Sequence, residues 1–519
     1  MMAITAGAGL SQQALFYPGL VNAASLYSEL SSTPLEIARG AMFLIPGSNI
    51  GPTAPERAVD SSSTTLGGTS VTITVGELNR TVPLLYASSS LVMGFIPADM
   101  PAGNGTYSVT YGGSTSSRMV RVVERAFGIF TQTGDPDGPA IAQNVSPQNE
   151  NVLNTFLESA RPGQTMVLWG TGVGGSASDA TVLVGGKPAP ASYAGVSGCC
   201  GGMDQIVFQV PNGIQGCFVP VALQFGDGVL SRNFASISIA AGGGECSDPH
   251  GLSGSEIDRY RHGQQQRQGS VVLTYNRGFD GAGASIGAYA SFRSFSGWGS
   301  WNSSLPSYGS CTVPRYSYLA GLSSILGKPV TGSGGLGLLP GALHLRGPLG
   351  VIQVPAWYGG PPVDPTVIPF AEGAYTLDNG SGGPDVGPFQ ASITLPGAPF
   401  QWTNRDEIGT EPVEWWRRQI SSDTDLKITW TGGGPNDYAL IVGGSDDDLD
   451  PFICTERADK GSFTIPAAIL RSVKRGSPDA AHYYIGVTGS SLPVRFSVRG
   501  IDLGQLTYSF GYGGNYSLQ

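Results

Sequence analysis

Charged side chains are scarce: Asp, Glu, Lys and Arg make up 13% of the 519 residues, about half the usual globular share. A surface helix needs such residues along its solvent face, so their scarcity argues against a helix-rich fold. Basic residues are the rarer sign, 28 against 38 acidic, and the formal net charge is −10. A nucleic-acid binder replaces condensed counterions with a basic patch, and no such patch occurs, which argues against nucleic acid as a partner. Acidity suits solubility outside the cell or cation binding and selects neither. Histidine is limited to His250, His262, His344 and His482, with no HExxH and no close pair, which argues against a zinc hydrolase. No apolar run reaches the roughly 18 residues of a transmembrane helix. The opening MMAITAGAGL lacks the basic n-region and full apolar h-region of an export signal. The expectation is an exported chain whose leader has been removed.

Glycine and proline are plentiful, 78 and 37 residues. Set between short apolar runs, they supply the turns that many short strands need. Period-2 alternation is clear in VTITV (71–75), YSVTY (107–111), MVRVV (119–123), ATVLV (180–184), QIVFQV (205–210) and ASISIA (235–240). It returns in VVLTY (271–275), DLKITW (425–430), YALIV (438–442) and VRFSV (494–498). Such patterning at short spacing predicts sandwiches, not βαβ units. Two helical stretches are expected, PAAILRSVKRG, ending at Gly476 with basic residues in its last turn, and a turn or two in EPVEWWRRQI (411–420).

Two segments read as variants of one unit. The first runs FLIPGSNIGP, VTITV, LLYASSSLVMGFIP and PAGNGTYSVTY; the second runs MVLWGTGVGG, TVLVGGKPAPASYAG, DQIVFQVP and CFVPVALQF. Both follow the sequence strand, G-x-N/T-x-G turn, strand, Tyr, strand ending in Pro, then a strand after Gly. The expected organisation is an Ig-like domain over 14–125, a second Ig- or TIG-like domain with a cysteine cluster over 126–245, a linker over 246–269, and a β-rich, sandwich- or jelly-roll-like region over 270–519. Whether that last region is one large sandwich or two, with a break near Pro399, stays open.

The run FYPGLVNAASLYSE…IARGAMFLIPGSNIGP, with LLYASSSLVMGFIPADMPAGNGTYSVTY after it, resembles an uncharacterised family of Ig/TIG-like domains in secreted proteins of Acidobacteria such as Solibacter. In that family an N-A-A-S stretch opens the unit and a G-S-N-L-G-P-like turn follows. The second segment, through GIFTQTGDPDGPAIAQN and ARPGQTMVLWGTGVG, looks like the same pattern continued. The resemblance covers roughly residues 14–250 and extends more vaguely to the C-terminal half. At SSSLVMGFIP this chain lacks the family's Q-I-N strand. The resemblance implies an all-β, Ig-like sandwich and an extracellular or cell-surface home, and it transfers no catalytic residue.

Candidate sites are few. The six cysteines, Cys199, Cys200, Cys217, Cys246, Cys311 and Cys454, form no CxxC pair. An even count in a low-charge β chain reads as disulfides in an oxidising compartment. The adjacent pair offers two readings: a redox-active ring or soft-metal site, or two cysteines that each bond elsewhere, to Cys217 and Cys246. The second is preferred, with Cys311 and Cys454 then paired across the C-terminal half. Asp446, Asp447, Asp448 and Asp450 cluster in GGSDDDLDP and are candidate calcium ligands; the turn GDPDGP (134–139) is a weaker one. Trp298 and Trp301, set among Gly and Ser, are candidate platforms for stacking a sugar ring, against the alternative of ordinary core filling. GASIG (283–287) matches the G-x-S-x-G elbow, but the strand–turn–helix context and a nearby His are missing, so chance is preferred.

The functional expectation is a structural or binding protein. Its Ig-like modules would serve as stalk, adhesion or filament units, and its C-terminal region would contact a partner, another copy or a glycan. The rival expectation is a secreted polysaccharide hydrolase with Asp385, Asp406, Glu411 and Glu414 as available carboxylates, no pair singled out by spacing.

Overall fold

The computed structural model describes the chain outside residues 1–14, 17–18, 27–34, 148–149, 263–264, 278–283, 296–304, 315–335, 355, 358–370, 415–416, 446–450, 474–482 and 519. It also leaves out the side chains of 15–16, 276–277, 284–286, 356–357, 410–414, 417 and 445.

The alternating segments are strands, and their alternation is the burial pattern. In Thr69–Val75, Val71, Ile73 and Val75 are buried and the threonines between them are partly exposed. The first unit has two facing sheets. One orders Val21–Asn22, Met42–Ser48, Leu91–Phe95 and Leu84–Ala87 side by side. The other orders Glu36–Ala38, Ser114–Val123, Gly103–Tyr111 and Thr69–Val75. Glu36–Ala38 pairs parallel to Ser114–Val123, the one parallel pairing among the described strands of this sandwich. These are the two strand sets of an Ig-like fold. Phe43, Ile45, Val71, Ile73, Val92, Tyr107 and Val120 fill the space between the sheets.

The second unit repeats the arrangement. Ala142–Val145, Thr165–Thr171, Asp204–Gln209 and Tyr193–Val196 form one sheet; Lys187–Pro190, Thr181–Val184, Gly216–Gln224 and Ala235–Ile239 form the other. Met166, Leu168, Val182, Ile206, Phe208, Val221 and Ile237 lie between them.

The C-terminal region is built on a large sheet that its first and last strands hold together. Gln266–Arg277 runs parallel to Ile501–Leu518, with Gln268 opposite Leu503 and Arg277 opposite Tyr512. Smaller sheets, such as Leu343–Gly347 with Gly373–Asp378 and Gln390–Leu395, cover it. Buried residues from both sides of Pro399, among them Phe292, Leu345, Leu377, Trp430, Ile441, Val487 and Phe510, belong to one cluster, which also takes in Ala222 and Phe234 of the second unit.

Two expectations need correction. The stretch expected as a linker over 246–269 contains the helix Gly254–His262 and the start of a long strand. Its signal is a capping box. Ser253 Oγ accepts from the Glu256 N–H at 3.2 Å, and Glu256 Oε2 accepts from the Ser253 N–H at 2.9 Å. Ile257 and Tyr260, three apart, bury one face of that helix. EPVEWWRRQI is not helical in its described parts: Thr410–Glu414 and Arg417–Ile420 are paired strands. Pro412 lacks the N–H a helix interior needs, and Arg418 finds a ladder partner in Tyr516. The expected helix in PAAILRSVKRG is present as Ala467–Val473. No helix among the described residues is long and apolar enough to cross a membrane.

Candidate functional site at the joints between modules

The candidate calcium ligands Asp446, Asp447, Asp448 and Asp450 and the candidate sugar platforms Trp298 and Trp301 lie outside the described residues, as do Trp415, Trp416 and His482. Among the described residues no group of three or more His, Cys, Asp or Glu is placed to hold a metal ion. The turn at 134–139 closes on itself, Gly138 N–H donating to Asp135 O and Thr131 Oγ1 donating to the same carbonyl. Ser285 of the G-x-S-x-G match sits in the strand Ala284–Phe295 opposite Asn276, in a ladder and not at a sharp turn. Asp385 accepts the Leu339 N–H at 2.8 Å. The Glu411 and Glu414 side chains are outside the description.

Buried polar chemistry gathers instead at the joints. The first sandwich passes into the second through residues 124–127, and this connector lies against the GTGVG turn (170–174). A Cβ at Gly170 would stand 2.2 Å from the Phe127 ring, one at Gly172 2.5 Å from Ala126 O, and one at Gly174 2.0 Å from Glu124 O. Alternating glycines thus clear one side of the turn for the incoming chain. Asn22, first residue of the N-A-A-S stretch and 3% exposed, ties the joint together. Its Nδ2 donates to Ala126 O at 3.0 Å and Thr171 O at 3.3 Å, while its Oδ1 accepts from Ala24 N–H at 2.9 Å and Ser25 N–H at 3.1 Å. The fully buried Thr171 hydroxyl accepts the Met42 N–H at 2.7 Å and donates to Gly202 O at 2.5 Å. Outside these, Glu36 pairs with Arg232 and Arg121, and Arg125 donates to both oxygens of Asp179 at 2.9 and 2.8 Å. Sequence reading found the N-A-A-S stretch and the GTGVG turn and missed their role.

Asp204 lies beneath the same turn, 4% exposed, and accepts the Val173 N–H at 2.8 Å. Burial pushes its carboxyl up to about 6, against the opposing pull of the Val173 and Gly172 amides. The folded state therefore holds this proton at pH values where the unfolded chain, near 3.8, has lost it. The stability contribution of this group is greatest below about 3.8 and falls as pH rises through about 6. Asp204→Asn keeps an acceptor and removes the buried charge. It is expected to raise stability at pH 7.5 by about 2–3 kcal/mol and to leave stability near pH 4 almost unchanged, as read by urea melts at the two pH values.

The cysteines pair as Cys199–Cys200, Cys217–Cys246 and Cys311–Cys454. The preferred sequence reading, in which the adjacent cysteines bond separately to Cys217 and Cys246, is corrected. Cys217 lies in the strand Gly216–Gln224 and Cys246 just past Ala235–Ile239, where the two neighbouring chains bring their Cα atoms to 5.3 Å. That bridge sits in a buried cluster with Phe156, Leu252, Ile257, Tyr260 and Leu503, so it pins the second sandwich to the helix and to the last long strand. Beside it the turn at 248–251 buries His250 edge-on to the Tyr308 and Tyr438 rings, both at 4.9 Å, with Nδ1 3.2 Å from Asp248 Oδ1. An Asp–His pair of this kind orients a general base, but Nε2 has no hydrogen-bond partner among the described residues, so no hydroxyl is poised for attack. The pair joins second sandwich to C-terminal region.

The chain is thus an all-β tandem of two Ig-like sandwiches carrying a larger β-rich region. No protein-family model matches it, and no curated protein does. Among solved structures it is similar to a tetra-tandem repeat in the extending region of a large adhesion protein, at 12% identity over 93% of this chain and 99% of that one, TM-score 0.14. It is also similar to the Bacteroides ovatus mixed-linkage glucan utilization locus SGBP-B, at 13% identity over 90% and 95%, TM-score 0.14. A third match is to Sidekick-1 immunoglobulin domains 1–4, at 11% identity over 96% and 99%, TM-score 0.13. At such TM-scores these likenesses carry no functional argument; the fold assignment rests on the sheets described above.

Proposed function

We propose that the chain is a structural and binding protein of the cell surface or extracellular space. In this reading the two sandwiches form a stiff stalk and the C-terminal region makes contact with a partner, another copy or a glycan. The observation that carries the reading is the first joint. Its connector is short, with Ala126 and Phe127 buried, and the Asn22 amide nitrogen and the Thr171 hydroxyl make hydrogen bonds across it. Such a joint transmits orientation between modules, as a stalk requires and a flexible linker does not. Three disulfides, two in the second sandwich and one in the C-terminal region, suit an oxidising compartment. Self-association has a route through the edge strand Asn151–Leu153, where Val152 and Leu153 stand 42% and 43% exposed beside open backbone groups.

Light scattering across a concentration series, with a glycan array run alongside, tests the reading. Assembly that grows with concentration and is weakened by Val152→Lys, or retention on a glycan, is expected. A particle that stays monomeric throughout and ignores every glycan and surface offered overturns it.

A further inference from the structure

The Cys199–Cys200 bridge differs from the other two in its access to solvent. Cys217 and Cys246 are 1% and 2% exposed, and Cys311 and Cys454 are 6% and 0%. Cys199 and Cys200 are both exposed. A thiolate must reach a disulfide sulfur along the S–S axis, so access alone separates this bridge from the buried ones.

The segment carrying the bridge is also part of the first joint. Ser197 N–H donates to Met203 O at 2.8 Å and Met203 N–H to Cys200 O at 3.2 Å, closing a loop whose Cα atoms at 199 and 200 are 3.8 Å apart. The two glycines that follow lean on the first sandwich. A Cβ at Gly201 would lie 3.1 Å from the Phe95 ring and from Ser61, and one at Gly202 2.5 Å from the Met42 side chain. Gly202 O takes the Thr171 hydroxyl, which in turn holds the Met42 N–H. The bonded pair thus ends two residues from a hydrogen-bond relay that crosses from one sandwich to the other.

We propose that Cys199–Cys200 is a thiol–disulfide exchange site whose opening loosens the joint between the two sandwiches. Its substrate class is a small or protein dithiol. One thiolate of the dithiol attacks a sulfur of the pair, breaking the Cys199–Cys200 bond and forming a mixed disulfide; the departing cysteine takes up a proton. The second thiolate then attacks the mixed disulfide, leaving the dithiol as an intramolecular disulfide and the second cysteine as a thiol. Two electrons and two protons pass from the dithiol to the protein. Opening the ring removes a covalent constraint on the backbone that presents Gly201 and Gly202, and the Gly202 O–Thr171–Met42 relay loses its fixed end.

The test uses the full chain in the native state. It is titrated with dithiothreitol, quenched with iodoacetamide, and mapped by peptide mass spectrometry. Cys199 and Cys200 are expected to alkylate at a reductant concentration at least about tenfold below that which opens either buried bridge. Hydrogen exchange at the selectively reduced stage is expected to show the Met42 amide losing about tenfold protection, with Val71 and Ile73 in the first core unchanged. The double variant Cys199→Ser, Cys200→Ser should show the faster Met42 exchange without reductant and no further response to it. Opening of a buried bridge first, or Met42 protection unmoved in the reduced protein and the double variant, overturns the proposal. This outcome is independent of whether the chain assembles or binds a glycan.

Discussion

Replacing Cys311 and Cys454 together with alanine is expected to lower the stability of the C-terminal region by about 5 kcal/mol at 25 °C. The bridge closes a loop of sequence separation 143, and loop-closure entropy grows with the logarithm of that length. The same arithmetic gives about 3–4 kcal/mol for Cys217–Cys246, whose separation is 29. Local structure points the same way. Ser310–Thr312 is a short strand at the end of the large sheet, held to Phe452–Arg457 with Cys311 directly opposite Cys454. All three of its residues are buried, so its release would open the cluster that contains Phe452, Ile441 and Val313. Alanine, not serine, is the substitution of choice because a hydroxyl at a fully buried position adds a desolvation cost of its own. Urea melts followed by a signal from the C-terminal region read the effect as a lower midpoint. A loss under about 1 kcal/mol would mean that strand pairing alone holds this edge.

The sequence showed strands well and joints poorly, for one physical reason. Strand burial is local: in VTITV every second side chain faces the core, and that alternation is visible within five letters. The repetition of the sandwich was visible for the same reason, because each unit carries its own alternating runs and turn glycines. A joint is made between residues far apart in the chain. Asn22 bonds to carbonyls 104 and 149 positions away, so N-A-A-S could be noticed as a motif without showing what it holds. The glycines of GTGVG looked like turn formers, and what they admit is a connector more than forty residues upstream. Cysteine pairing was undetermined because about fifteen pairings are compatible with six cysteines, and the choice depends on which strands become neighbours. At the second joint the stretch over 246–269 read as a linker, yet the Ser253–Glu256 capping pair was present in the letters and marked the helix start.

Asn22→Ala is expected to remove about 4 kcal/mol of stability, about half of it from the coupling between the two sandwiches, and to split their melting into two calorimetric transitions. The side chain accounts for two buried carbonyls, those of Ala126 and Thr171, and two buried amides, those of Ala24 and Ser25. Alanine leaves all four facing a space lined by Gly128, whose missing Cβ would otherwise stand 2.5 Å from Asn22 Oδ1. Each stranded group costs roughly 1 kcal/mol or more when water cannot reach it. Asn22→Asp separates this account from simple loss of volume. It is close to Asn in size and keeps the acceptor for Ala24 and Ser25, but it aims a second oxygen at two carbonyl oxygens. At pH 7 it should be at least as damaging as alanine, and it should recover part of the loss on acidification, because a protonated carboxyl regains one donor. If both variants melt in one transition at the wild-type temperature, the clamp is not what couples the modules, and the stiffness of the stalk must come from the Glu36–Arg232 and Arg125–Asp179 pairs at its rim.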